Sequence, residues 1–209
     1  MFKVPDGMEE RLCPSLMCSG GTIWAPLKRY FNSNAKCVVI GIGGLGHLGL
    51  MMSSKMGMRT FAISTSDLKK QSALDFGAHE FVNSKNEESM KHFYQEAIDI
   101  MINTTSVSDV LPYVRALKKG SGVFVQLGLP DTGKLDLNFA EFILNQWSFA
   151  GSAAFSTGDG KEMLEFCAQH KIYPKCEFFS WDNFNEAVNK CENGKVEYRS
   201  VVDVSTLKR

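Results

Sequence analysis

Residues 37–50, CVVIGIGGLGHLGL, constrain this chain more than any other stretch. An apolar, β-branched run enters a glycine-rich turn and leaves it as a helix. Gly41, Gly43 and Gly46 have the spacing G-x-G-x-x-G, with Ile42, Gly44 and Leu45 between them. In such a unit Gly41 makes the tight turn, Gly43 lets backbone approach a pyrophosphate, and Gly46 lets helix and strand pack closely. The helix start adds unpaired N–H groups and the positive end of a dipole, both suited to phosphate. A dinucleotide-binding turn is the expectation, against a turn that is merely glycine-rich. His47, directly after it, reads as incidental.

Strand and helix signals alternate on either side of this turn. Apolar runs at 36–42, 60–65, 80–83, 97–103, 121–128 and 146–154 read as strands. Helical patterns lie between them at 44–58, 67–76, 86–95, 107–117 and 139–144. That spacing predicts an α/β fold, a Rossmann-type doubly wound parallel sheet with helices on both faces. Residues 1–31 read as a linker and leading helix, with Asp6 as its possible cap and Pro14 and Gly20-Gly21 making it irregular. Residues 32–171 read as the dinucleotide domain, closed by an amphipathic helix at 159–172. Residues 172–209 read as a small β-α-β appendage, CEFFS, WDNFNEAVNKCENG and YRSVVDV.

Composition narrows the classes of partner. Lysine plus arginine number 23 and aspartate plus glutamate number 23, so neither nucleic acid nor an anionic membrane surface is suggested. The longest apolar run, Cys37 to Met52, is interrupted by His47 and five glycines and makes no transmembrane span. No secretory or transit peptide is visible at the start. The six cysteines form no C-x-x-C pair, which predicts reduced thiols, mostly buried, in an intracellular reducing compartment.

The end of the second strand selects the cofactor. An NAD site places an acidic residue there for the ribose hydroxyls. This chain has Ser64, Thr65 and Ser66, then Lys69 and Lys70. Hydroxyls and a lysine suit the 2′-phosphate of NADP, so NADP is favoured over NAD. Asp67 reads as the cap of the next helix. The competing reading is a solvated helix start with surface lysines.

The ordered stretches PSLMCSGGTIWAPLK, GIGGLGHLG, ISTSDLKK, ALDFGAHEFVNS, LGLP, KEMLEF and NGKVEYRSVVDV resemble the medium-chain, zinc-dependent alcohol dehydrogenases, in particular their cinnamyl alcohol dehydrogenase branch. The resemblance implies NADPH as cofactor and extends the set of contacts. Thr22 corresponds to a threonine touching the nicotinamide end, Gly41 to Gly46 to the phosphate turn, and Ser64 to Lys69 to the 2′-phosphate loop. Thr104, Gly128, Ser152, Ala153 and Ala154 correspond to later contacts at strand ends. Phe155 stands where relatives carry glycine and is expected to crowd the nicotinamide end.

Cys18 corresponds in the resemblance to one ligand of the catalytic zinc. The remaining ligands and the proton relay belong to an N-terminal catalytic domain, and this sequence is expected to begin at the linker after it. A catalytic zinc needs three protein ligands and an open position, so Cys18 is expected to be unmetallated in this chain alone. The implied function is the NADP(H)-binding domain of an alcohol dehydrogenase-like oxidoreductase, not catalytic by itself. The alternatives are a non-catalytic structural or interaction subunit derived from that family, and a chain that binds NADP(H) on its own as a sensor. The resemblance assigns the final strands to the catalytic domain's sheet. Left without home strands, they would need another polypeptide as cover, with the edge at 148–154 available for a homodimer.

Overall fold

The computed structural model describes residues 3–207. It opens with helix in pieces: a 3-10 turn Glu10–Leu12, α1 (Cys13–Ser15), a π-helical turn Leu16–Gly20, and α2 (Gly21–Arg29). Asp6 does not cap this segment; it lies in an earlier turn and pairs with Lys3. The alternating units are β1 (Lys36–Ile40), α3 (Gly46–Lys55), β2 (Arg59–Ser64), α4 (Lys70–Asp75), β3 (Glu80–Asn83) and α5 (Glu87–Phe93). They continue as β4 (Ile100–Asn103), α6 (Leu111–Val114), β5 (Val123–Gln126), α7 (Phe139–Asn145), β6 (Ser148–Gly151) and α8 (Thr157–His170).

The six strands lie parallel in the order β3-β2-β1-β4-β5-β6, with Val38 opposite Phe61 on one side and Met101 on the other. Central parallel strands are covered on both faces, which is why β1 is apolar from Cys37 to Ile40. Alternate residues serve opposite layers. Cys37, Ile100, Ile102 and Val125 pack with Leu16, Ile23, Leu27, Met163 and Leu164. Val38, Phe61, Met101 and Phe124 pack with Met90, Phe93, Val114 and Phe142. The leading helix therefore contributes to the main core.

Two elements are shorter than their sequence patterns. The helix expected over 107–117 shrinks to Leu111–Val114, since Pro112 has no N–H and is tolerated only in the first turn of a helix. Side chains hold the stretch ahead of it: Thr105 Oγ1 accepts from Val107 N–H at 3.4 Å and Asp109 from Leu111 N–H at 3.2 Å. The strand expected over 146–154 is confined to Ser148–Gly151, between left-handed backbone at Gln146 (φ 54°) and Ala154 (φ 57°).

The tail folds as β7 (Cys176–Ser180), α9 (Phe184–Glu192) and β8 (Arg199–Asp203). These strands form the β-α-β unit that the sequence pattern predicts. They pair with each other in parallel, Phe178 opposite Val201. Phe179, Ala187 and Val201 are buried, while Phe178, Trp181, Phe184, Val188, Val204 and Leu207 are exposed. Among the described residues no helix is long and apolar enough to cross a membrane. All six cysteines are free thiols, but only Cys13, Cys37 and Cys167 are fully buried; Cys176 is half-buried and Cys18 and Cys191 are exposed. Burial pushes the Cys37 and Cys167 thiols up to about 12, which leaves them inert.

Candidate functional site

The strand order reverses between β1 and β4, and the carboxyl ends of the strands meet there, where open α/β sheets take ligands. The glycine turn fills the first part of that region. Gly41 has φ +86°, and its N–H donates to the Ile63 carbonyl at 3.0 Å. A Cβ on Gly46 would lie 1.8 Å from the Gly41 carbonyl oxygen, so only glycine lets α3 start this close to β1. A Cβ on Gly43 would meet nothing within 4 Å, which leaves backbone there open to an approaching group. With Ile42, Gly44 and Leu45, these residues form the ledge that the sequence pattern anticipates.

Strand ends β4 and β5 brace the ledge. Thr104 Oγ1 donates to the Ile40 carbonyl at 2.8 Å and to that of Gly41 at 3.1 Å. A Cβ on Gly128 would lie 2.1 Å from the Thr105 carbonyl oxygen, so the two strand-end loops touch backbone to backbone. Buried Asn103 ties them further, accepting from Thr105 and donating to Gln126 at 2.9 Å.

At the end of β2, Ser64 and Ser66 are half-buried and Thr65 is exposed. Lys69 bends back so that its Nζ donates to the Ile42 carbonyl at 2.7 Å, which brings its charge to the turn. Asp67 is not the cap of the following helix. It is the first residue of a 3-10 turn with Ser66 in the capping position, and its carboxylate accepts from the Asn83 amide at 3.1 Å.

The tail supplies neighbours that local sequence reading missed. His47 is fully buried and belongs to the site's framework, which corrects its reading as incidental. Its Nε2 accepts from Lys175 N–H at 3.1 Å, so its Nδ1–H donates to the Gly43 carbonyl at 2.9 Å. Burial lowers its pKa to about 4, with Arg199 and Lys175 adding repulsion of a proton. The Tyr198 ring lies 4.9 Å from the His47 ring, and Lys69 and Lys175 both lie over it. Arg199 presses against Gly44, whose added Cβ would be 3.0 Å from its guanidinium. Its Nε is buried without a hydrogen-bond partner, an unmet donor beside the phosphate ledge. Nothing in YRSVVDV announces this, since the contact spans more than 150 residues of chain.

Cys18 is exposed within the π-helical turn Leu16–Gly20. Thr22 follows one turn later, half-buried on α2. Ser152 is half-buried and Ala153 and Ala154 are exposed, in the loop from β6 to α8. Phe155 in that loop turns its ring onto Gly21, next to Thr22. The donor chemistry for a dinucleotide fits: an open glycine ledge, a free buried guanidinium donor and a lysine. A catalytic zinc does not fit these residues, because Cys18 belongs to no group of three ligating side chains among the described residues. The group of that kind which is present, Glu80, His92 and Glu96, lies at the opposite ends of the strands.

Strand order and glycine turn together define the class, a Rossmann-type dinucleotide-fold domain. Residues 44–169 match the family model described as zinc-binding dehydrogenase, and the chain belongs to that family. It is 35% identical over 207 residues to a probable cinnamyl alcohol dehydrogenase 1 of Oryza sativa subsp. japonica, covering 97% of this chain and 57% of that protein. It is 35% identical over 193 residues to aldehyde reductase YahK of Escherichia coli (strain K12), covering 92% of this chain and 55% of that one. A solved cinnamyl alcohol dehydrogenase of Sorghum bicolor superimposes with a TM-score of 0.91 at 30% identity, over 99% of this chain and 59% of that chain. A CAD from Helicobacter pylori, complexed with NADP(H), gives a TM-score of 0.85 at 26% identity, over 99% and 59%. The chain thus spans a little over half the length of these relatives and corresponds to their cofactor-binding half.

Proposed function

We propose that this chain is the NADP(H)-binding part of a zinc-dependent alcohol dehydrogenase-like oxidoreductase, and that it transfers no hydride as an isolated chain. The carrying observation is the ledge: glycine alone fits at Gly46, Gly43 is open, and Arg199 lies against Gly44 with its buried Nε unpartnered. Gly41 to Gly46 would bind the pyrophosphate with backbone N–H groups. Ser64, Thr65, Ser66 and Lys69 would hold the 2′-phosphate, with Lys69 released from the Ile42 carbonyl. Thr22, Thr104, Gly128 and Ser152 to Ala154 would frame the second mononucleotide. Bound NADP(H) supplies a hydride. Polarising a carbonyl would take further zinc ligands beside Cys18, which alone cannot hold a catalytic zinc.

In this reading residues 1–31 lead into the cofactor domain of 32–171, and 172–209 belong to a sheet completed by further polypeptide. A neighbouring chain over Phe178, Trp181 and Phe184, or a second copy joined along 148–154, would give the cover these surfaces lack. At that second edge Phe149 is 43% exposed, and Ile143 and Leu144 on α7 are more exposed still. The setting in this reading is intracellular and reducing.

Titration with NADPH and NADH tests the proposal. NADPH binds more tightly, and Lys69→Ala narrows the gap by about tenfold, the loss of one charge-assisted contact to phosphate. Equal affinities for the two cofactors would overturn the 2′-phosphate assignment. The isolated chain should also show no chelator-sensitive reduction of cinnamaldehyde. Such turnover, in a preparation shown to contain only this chain, would overturn the non-catalytic reading.

A further inference from the structure

The two sides of the strand-order reversal are built unequally. A dinucleotide laid across the switch point puts one mononucleotide over β1 to β3 and the other over β4 to β6. On the first side lies a cleft of about 430 Å³ lined by Gly43, Gly44, Lys69, Ser72, Lys195 and Tyr198, with Arg199 against its glycine wall. That side is open, and Lys69, Lys195 and Arg199 there outnumber one carboxylate, Glu197. On the second side the loop leaving β6 carries Phe155, whose ring is seated on the backbone of α2. A Cβ on Gly21 would fall 1.9 Å from Phe155 Cδ1 and 2.2 Å from Cε1, so ring and helix are in direct contact beside Thr22.

That seat is held from both sides. Ala154, one residue before, has left-handed backbone (φ 57°), uncommon for a non-glycine residue. Ser156, one residue after, caps α8 in a reciprocal box with Asp159. Asp159 in turn accepts from Lys28 of α2 at 3.0 Å, and Lys28 also pairs with Glu162 at 2.5 Å. Helix α2, the loop and the start of α8 thus form one clamped unit with the Phe155 ring inside it.

We propose that Phe155 covers the position of the second mononucleotide, so that the ligand of this chain is a 2′-phosphoadenosine diphosphate group and the nicotinamide riboside end adds nothing to binding. The proposal rests on the NADP(H) reading above and narrows it to one half of the cofactor. It makes the chain a binder of 2′-phosphorylated adenine nucleotides in general, whether or not they carry a redox ring.

Calorimetric titration of the full chain with 2′-phospho-ADP-ribose, NADPH and ADP-ribose tests it, in the native chain and in Phe155→Gly. In the native chain 2′-phospho-ADP-ribose and NADPH bind within about threefold of each other, and ADP-ribose binds more weakly by about tenfold or more. Phe155→Gly tightens NADPH by about tenfold and leaves 2′-phospho-ADP-ribose unchanged. Should the variant fail to fold, saturation-transfer NMR on the native chain with NADPH decides instead, with transfer to the adenine protons and none to the nicotinamide protons. NADPH binding about tenfold or more tighter than 2′-phospho-ADP-ribose, or transfer to the nicotinamide protons, would overturn the proposal and leave the NADP(H) reading standing. No binding of 2′-phospho-ADP-ribose would overturn both.

Discussion

In the six-stranded sheet Val38, Val39, Phe61, Met101 and Phe124 have no exposed surface, whereas in the two-stranded tail Phe178 is 40% and Trp181 39% exposed. Both regions use parallel strands and a crossover helix, so the difference does not come from local structure. It comes from cover. The sheet has helices on both faces, supplied by α2, α3 and α8 on one side and by α5 to α7 on the other. The tail rests one side on the leading helix and the glycine turn, through Arg11 over Phe178, Ser15 at Cys176 and His47 at Lys175. Phe179, Ala187 and Val201 are buried within it, but Trp181, Phe184, Val188, Val204 and Leu207 stay exposed, with the Trp181 and Phe184 rings 5.6 Å apart. An apolar pattern fixes which face wants burial, and only the tertiary arrangement shows whether it is met.

The largest effect should come from a hole in the sheet. Phe61→Ala or Phe124→Ala removes a fully buried ring and should cost about 3–5 kcal/mol in denaturant unfolding. Phe178→Ala in the tail should cost less than about 1 kcal/mol, most of it the lost contact with Arg11. Similar costs for the two would erase the contrast.

The joint between the regions should respond to pH. His47 is held neutral, its pKa lowered from 6.5 to about 4 by burial, so between those values the unfolded chain binds the proton that the folded chain refuses. Stability associated with this group is complete above pH 6.5 and is lost as the pH falls toward 4, by about 3 kcal/mol in all. His47→Gln should flatten the stability curve across that window, measured as the denaturant midpoint against pH. An unchanged slope would mean that His47 is not the group responsible.

Much of the sheet was legible because its signals are local. Glu80–Asn83 forms the strand its sequence suggests, and Gly41, Gly43 and Gly46 sit as their spacing requires. The helix at 107–117 was overstated because apolar periodicity ignores the missing N–H of Pro112. His47 and Arg199 were not legible as site neighbours, since their partners lie 128 residues away at Lys175 in one case and across the fold at Gly44 in the other. Asp67 was misplaced by one position, a shift that capping propensity alone does not resolve.

The smallest effect belongs to exposed charge. Lys161 and Glu165 pair across one turn of α8 at 3.8 Å with most of each side chain in solvent. Lys161→Ala should change stability by about 0.5 kcal/mol or less, the usual worth of such a pair. A larger loss in thermal unfolding would show that α8 depends on its outer surface as well as on buried Met163 and Leu164.

Hydrogen exchange on the isolated chain, in a preparation shown to be monomeric, tests most directly the claim that the sheet is self-sufficient and the tail is not. Amides of β1 and β4 should exchange only through global unfolding. Those of β7 and β8 should exchange through a smaller opening, about 2 kcal/mol or more below the global value, and gain protection when a covering chain is supplied. Protection of β7 and β8 equal to that of β1 and β4 in the monomer would contradict the account.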